Sequence, residues 1–342
     1  MNRDTIRVIG PALRVAIVGA VLSRKWLGGE RQLVLMPDAM PEVAQTILAR
    51  PDHLKLHAEL EFNVDWLSAN ANAIPVLAPS YPSNDGSLAL PFPLIGAAQF
   101  GVDFHHFWMR ANSLSELDDL LAFSPAIAIE KAAQKPALNT LIQACIPFGL
   151  ELDAGSYAEL LIAYAKSQGA LVAEVEAGGQ YSATIDCSGS DMPGWQDETV
   201  HLLAPPRLPG LEWQICLNSA NRFASLAANF DKAAAERREY NRLARHEVER
   251  IADMLALLKD ANPAATKRST LKRKIDVFAA CGRIPTEDFE VFSQPEWLCA
   301  LWGRGIRPRR FDRMAGLMPE SKLSELITGL HSKARALAGE VL

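Results

Sequence analysis

The stretch from Phe148 to Gly189, FGLELDAGSYAELLIAYAKSQGALVAEVEAGGQYSATIDCSG, constrains the fold of this chain more than any other. Tyr157, Leu160, Leu161, Tyr164 and Ala165 recur at helical spacing and make one apolar stripe, with Asp153 where an N-cap belongs. Gly169 is placed to end that helix in a left-handed conformation. Leu171, Val172, Ala173 and Val175 then suit a short strand and Gly178-Gly179 a turn. Tyr181 to Gly189 reads as a buried strand ending in small residues. Helix, strand, turn and strand, closing on Asp186-Cys187-Ser188-Gly189, is the local order of a nucleotide-type α/β core.

The amino terminus repeats that theme. Ile6 to Gly10 reads as a first strand, Val15 to Leu22 as a helix and Gln32 to Met36 as a second strand. In a dinucleotide-binding unit the turn after the first strand reads G-x-G-x-x-G, for a tight turn, close backbone approach to pyrophosphate and tight helix packing. Here it reads Gly10-Pro11-Ala12-Leu13-Arg14-Val15. Ala12 puts a methyl group where bare backbone should meet phosphate, Pro11 removes an N–H, and Val15 holds helix from strand. Met36 stands where a ribose-binding acid would close the second strand, with Asp38 two residues on. On these residues the unit reads better as an α/β unit without a ligand than as a dinucleotide site.

Composition narrows the classes. With 342 residues, 49% hydrophobic and 22% charged, the chain is ordinary globular protein, long enough for a sizeable core in one large domain or two. A net charge of -5 gives no reason to expect nucleic acid or an anionic membrane as partner. Two basic runs, Lys267 to Lys274 and Arg304 to Arg313, read as solvated faces. Five scattered cysteines without a Cys-x-x-Cys pair argue against a disulfide framework and a zinc site, and Cys145 and Cys187 read as buried thiols. No run approaches the ~20 apolar residues of a membrane span, and Arg14 interrupts residues 8 to 22 without a signal-type cleavage site after them, so a reducing cytoplasm is expected. There is no Ser-His-Asp or Cys-His arrangement, no metal-ligand spacing and no P-loop.

Along the rest of the chain, Pro37 to Ala49 reads as a turn and a short helix, and residues 70 to 100 as loops and short edge strands. His105 and His106 read as strand neighbours pointing to opposite faces within an apolar core. A helix is expected from Leu114 to Lys131, capped by Ser113. Strands are expected at Val200 to Leu203 and at Leu211 to Leu217. The last third reads as helical: Lys232 to Lys259, stopped by Asn262-Pro263, then Leu271 to Ala280 and a terminal helix after Pro319. The fold expected is α/β. A Rossmann-like core of the FAD/NAD(P) type fills residues 1–217, with strands inserted at about 55–110, and a mainly helical region fills 218–342.

Four segments in order resemble the flavin-dependent tryptophan halogenases. They are Asp153-Ala-Gly-Ser-Tyr-Ala-Glu-Leu-Leu161 before Asp186-Cys-Ser-Gly189, Gly101 to Arg110, Glu239 to Asp253, and Trp297 to Pro308. The resemblance implies FAD, with Gly10, Ala12, Asp186, Ser188 and Gly189 as residual cofactor contacts. It puts His57 at the position of the family's lysine. Leu211-Glu-Trp213-Gln-Ile-Cys216 keeps the second Trp and the Ile of a Trp-x-Trp-x-Ile-Pro signature. No flavin strap is found, and no Glu-Pro-Leu-Glu-Ser-Thr-type segment bearing the catalytic glutamate. The residues therefore imply a catalytically degenerate member with a binding or interaction role, whose partner is an aromatic small molecule, a second copy or a full-length halogenase relative. The alternative is an active FAD-dependent halogenase or monooxygenase on tryptophan or another aromatic. Phe104, Trp108 and Trp213 are the residues expected to line an aromatic pocket, and no metal is implied.

Overall fold

The computed structural model describes residues 4–26, 31–39, 45–132, 137–173, 180–227 and 233–337. Val175, Gly178-Gly179 and Lys232 lie outside them. The chain runs β1 (Asp4–Gly10), α1 (Ala12–Lys25), β2 (Arg31–Pro37), β3 (Thr46–Ala49), α2 (Leu54–Glu59) and α3 (Val64–Ala71). Three short strands follow, β4 (Ile74–Val76), β5 (Ser80–Ser83) and β6 (Gly86–Ala89), and then α4 (Phe104–Leu114), α5 (Pro125–Lys131) and α6 (Leu138–Gln143). Next come β7 (Gly149–Asp153), α7 (Ala154–Ser167), β8 (Leu171–Val172), β9 (Ala183–Ser190), β10 (Gly194–Gln196) and β11 (Thr199–Leu203). The remainder is helical: α8 (Leu211–Leu226), α9 (Ala234–Lys259), α10 (Ser269–Cys281), α11 (Gln294–Gly303), α12 (Arg313–Gly316) and α13 (Glu320–Leu337).

These elements form two compact units, each discontinuous in sequence: 1–74 with 149–248, and 75–148 with 249–342. A division at residue 217 falls inside α8, in the first unit, and the stretch 55–110 is shared between the two.

The first unit is built on a sheet of order β10-β11-β9-β1-β2-β8, parallel except for the β10–β11 pair. A parallel sheet is covered on both faces, so its central strands are rich in buried aliphatics. Ile6 and Val8 of β1, Leu35 of β2, Ile185 of β9 and Val200 of β11 are all buried. Helix α1 is buried from Val15 to Leu22 and packs against α7 and α8. The helix read at Tyr157 is α7, and Asp153 Oδ1 caps it by accepting from Ser156 N at 2.8 Å. Gly169 follows with φ +95°. This is the α/β, Rossmann-like core the sequence announces.

The second unit is mainly helical. Helix α13 packs on α4 and α5, burying Leu323, Ile327 and Ala334. Trp297 and Trp302 of α11 are buried, as is Tyr81, whose hydroxyl donates to the buried Glu296 at 2.9 Å.

Several expectations are corrected. Residues 46–49 form strand, not helix, because β7 pairs with them antiparallel from a hundred residues away. His105 and His106 lie on helix α4, with ring centroids 4.1 Å apart, and not on opposite faces of a strand. The helix expected over 114–131 is broken: Ser113 Oγ donates back to Arg110 O inside α4, and Ser124 caps the short α5, whose first residue is Pro125. Leu211 to Leu217 is helix, because Gly210 at φ +75° turns the chain and Leu211, Ile215, Ser219 and Phe223 fall on one buried face. The inserted segment holds only three short strands among helices α2, α3 and α4. Cys187 is buried, whereas Cys145 is exposed. Among the described residues no helix is long and apolar enough to cross a membrane.

Candidate functional site

In an open α/β sheet, ligands bind outside the carboxyl ends of the strands where the strand order reverses. Here β2 and β8 extend the sheet to one side of β1, and β9 and β11 to the other, so the reversal lies between β1 and β9. Gly10 closes β1 with φ +118°, and a Cβ added there would meet Ser188 N at 2.9 Å. Only glycine allows that approach of the two strand ends. Its carbonyl accepts from Asp38 N at 2.8 Å. Pro11 is the N-cap of α1 and supplies no side-chain bond, Ala12 is buried, and Val15 is fully buried.

Arg14, one turn on, is 2% exposed. Its Nη2 donates to Leu203 O at the end of β11 at 2.8 Å, and its Nη1 stands 3.1 Å from where a Cβ on Gly189 would be. Burial pushes the Cys216 thiol up to about 11 despite its hydrogen bond with Arg14, and raises the Glu212 carboxyl against the pull of the same guanidinium. The arginine thus occupies the crevice beside the ends of β9 and β11 and the first turns of α8. Its Nε has no partner among the described residues.

The end of β9 is more open. Asp186 Oδ1 accepts from Ser188 N at 2.9 Å, and its Oδ2 lies 3.3 Å from Nδ1 of His201, its register partner on β11. Burial pushes the Asp186 carboxyl up, but the Ser188 hydrogen bonds and His201 outweigh it and leave the carboxyl below its ordinary value. Both side chains are part-exposed and Ser188 is exposed. A carboxylate that orients an imidazole is a unit able to move a proton at the imidazole nitrogen.

His57 lies on α2, 2% exposed. Trp213 Nε1 donates to the Tyr157 hydroxyl at 3.1 Å, and that hydroxyl is 2.6 Å from His57 Nε2. His53 stacks on Trp213 with centroids 4.3 Å apart; its Nδ1 accepts from Arg50 N at 2.9 Å, which leaves its Nε2–H to donate to Gln214 Oε1 at 2.6 Å. Burial lowers His53 to about 3 and His57 to about 4, so both are neutral near pH 7. His57 Nδ1 has no hydrogen-bond partner among the described residues.

The three expected pocket aromatics are all buried and do not share a unit. Trp213 belongs to the cluster just described. On α4 of the second unit, Phe104 lies 6.1 Å from Phe123, and Trp108 meets Trp302 edge-on at 5.2 Å while donating to Asp118 O. Of the expected cofactor residues, Gly10 and Ser188 meet where β1 and β9 end, Ala12 opens α1, and Asp186 and Gly189 lie on β9. Arg14, His201 and Glu212 were not marked as site residues by the sequence. Only their placement by α1, β11 and α8 reveals them, since nothing in their neighbours' spacing encodes it. Among the described residues no group of three or more His, Cys, Asp or Glu could hold a metal.

A sequence model of the tryptophan halogenase family matches residues 51–189 and 213–320, well over half of the chain. The chain belongs to the tryptophan halogenase family. The match takes in His57 and Asp186 to Gly189 but begins beyond the β1–α1–β2 unit. No curated protein sequence matches. Among solved structures, the chain is similar to BrvH, a flavin-dependent halogenase from Brevundimonas sp. BAL3, at a TM-score of 0.82 and 15% identity over 99% of this chain and 98% of that one. It is similar to Xcc4156, a flavin-dependent halogenase from Xanthomonas campestris, at 0.81 and 16% over 100% and 97%. SttH, a tryptophan 6-halogenase from Streptomyces toxytricini, matches at 0.74 and 12% over 99% and 98%. At such identities the likeness is one of fold, and it supports the Rossmann-like core.

Proposed function

We propose that this protein is a catalytically degenerate tryptophan halogenase-like protein that acts by binding rather than by flavin chemistry. The observation that carries this reading is Arg14. A flavin dinucleotide at this edge needs free N–H groups and bare backbone at the start of α1, and room beside Gly189. Pro11 withholds an N–H, Ala12 adds a methyl, and the Arg14 guanidinium lies on the Leu203 carbonyl beside Gly189. These residues do not fit FAD. The lysine position points the same way, because His57 there is short, buried and neutral. Binding partners in keeping with this reading are an aromatic small molecule, a second copy of the chain or a full-length relative.

The part-exposed Asp186–His201 pair favours a second reading, an FAD-dependent halogenase or monooxygenase acting on tryptophan or another aromatic. Incubation with reduced FAD, oxygen, chloride or bromide and tryptophan, followed by mass spectrometry, separates the two. No halogenated or hydroxylated product is expected. A halide-dependent product that disappears in Asp186→Ala would overturn the proposal.

A further inference from the structure

The basic run from Arg304 to Arg313 is not a uniform solvated face. Arg304 pairs with Asp85 at 2.6 Å, and Arg307 lies over the Trp302 ring at 4.2 Å. Those two are held by the unit's own packing. Arg309, Arg310 and Arg313 have no ion-pair partner among the described residues. Two of the three line a cavity of about 430 Å³ together with Cys281, Arg283, Phe311 and Asp312.

The rim of that cavity is fixed before any ligand arrives. Arg309 N donates to Ala279 O at 2.9 Å, and Asp312 N donates to His106 Nδ1 at 3.1 Å. Gly282 lies so close to His106 that a Cβ would come within 2.6 Å of the imidazole. The one acid in the lining does not answer the free arginines. Asp312 Oδ2 accepts from Arg283 at 2.8 Å, and its Oδ1 accepts from Met314 N at 2.9 Å. Arg283 therefore neutralises Asp312, and Arg310 and Arg313 remain as two uncompensated positive charges beside an aromatic ring. This stands out in a chain whose net charge is -5.

We propose that this cavity binds a small organic phosphate monoester, with Arg310 and Arg313 gripping the phosphate and Phe311 covering the organic group. Guanidinium forks match the oxygens of a phosphate and hold a dianion better than a monoanion. The volume lies within the range of small-molecule sites. The site is independent of the crevice at β1 and β9 and of the reading drawn from it.

The test is a calorimetric titration of the full chain with phenyl phosphate at low ionic strength, run beside inorganic phosphate and benzoate. Saturable one-to-one binding is expected, tighter than for either comparison ligand and weakened at least about tenfold in the double variant Arg310→Gln/Arg313→Gln. Arg309→Gln, which removes an equal kind of charge outside the lining, should leave it unchanged. Neither arginine has an ion-pair partner among the described residues, so thermal midpoints should not move; single Arg310→Gln serves if the double variant is poorly folded. Absence of saturation, equal weakening by Arg309→Gln, or benzoate binding as tightly as phenyl phosphate would each overturn the proposal.

Discussion

The crevice between β1 and β9 and the cluster around His57 are both places where the family resemblance puts chemistry, and each is filled by a different device. In the crevice a charged side chain, Arg14, stands against a backbone carbonyl at a strand end. Around His57 a network of neutral rings, Tyr157, Trp213 and His53, closes on itself. A buried charge survives where it finds an acceptor; a buried imidazole without a counter-charge gives up its proton. The crevice keeps the backbone shape of a ligand site while its space is taken. The cluster keeps neither charge nor access.

Acid should separate the two regions most strongly. The folded-state values of His53 and His57 lie below the ordinary histidine range, at about 3 and about 4. The unfolded chain takes up those protons near pH 6.5, while the folded chain resists them. Stability is therefore full above that pH and falls as pH drops towards the folded values. Between pH 7 and pH 5 the loss should be about 2 kcal/mol for each histidine. Urea denaturation at the two pH values checks this: a His53→Gln/His57→Gln variant should lose the share of the slope these two contribute, while burial likewise holds His105 and His106 below the ordinary histidine range and leaves their share in place.

Next in size is Gly10→Ala. With φ at +118° and Ser188 N at 2.9 Å from the new methyl, the two strand ends would have to part. Destabilisation on the order of 3 kcal/mol is expected, against about 1 kcal/mol or less for Ala12→Gly two residues on. Equal effects at the two positions would break the claim that the crevice has kept its backbone and lost only its room. Tyr157→Phe removes the hydroxyl between Trp213 Nε1 and His57 Nε2 and should cost about 1–3 kcal/mol in the same denaturation assay. The smallest effect belongs to Asp186→Asn, within about 1 kcal/mol, because that carboxylate is part-exposed and bonds a neighbouring turn and a part-exposed imidazole.

The order of these effects follows what the sequence could and could not say. Runs such as Ile6 to Gly10 and the stripe of α7 carry their structure in local periodicity, and Asp153 announces its own helix start. Thr46 to Ala49 does not, because its strand depends on β7 far along the chain. Trp213-Gln-Ile-Cys216 alternates like a strand, yet Gly210 and the buried faces at Ile215 and Phe223 make it helix. Pro125 breaks a pattern whose apolar spacing alone reads as continuous. At the crevice, the missing glycines were plain in the Gly10 to Val15 turn. That Arg14 turns inward to Leu203 was not, since an arginine in the first turn of a helix commonly faces water. The pairing of His201 with Asp186 likewise comes from strand register, which no local spacing records.

The most direct measurement is a visible absorption spectrum of the purified protein followed by titration with FAD, watching flavin fluorescence. A colourless protein that leaves the fluorescence unquenched is the predicted result, and the triple variant Pro11→Gly/Ala12→Gly/Arg14→Gly should gain quenching. A yellow protein, or sub-micromolar quenching by the natural sequence, would contradict the account and place this chain with the flavin-carrying members of its family.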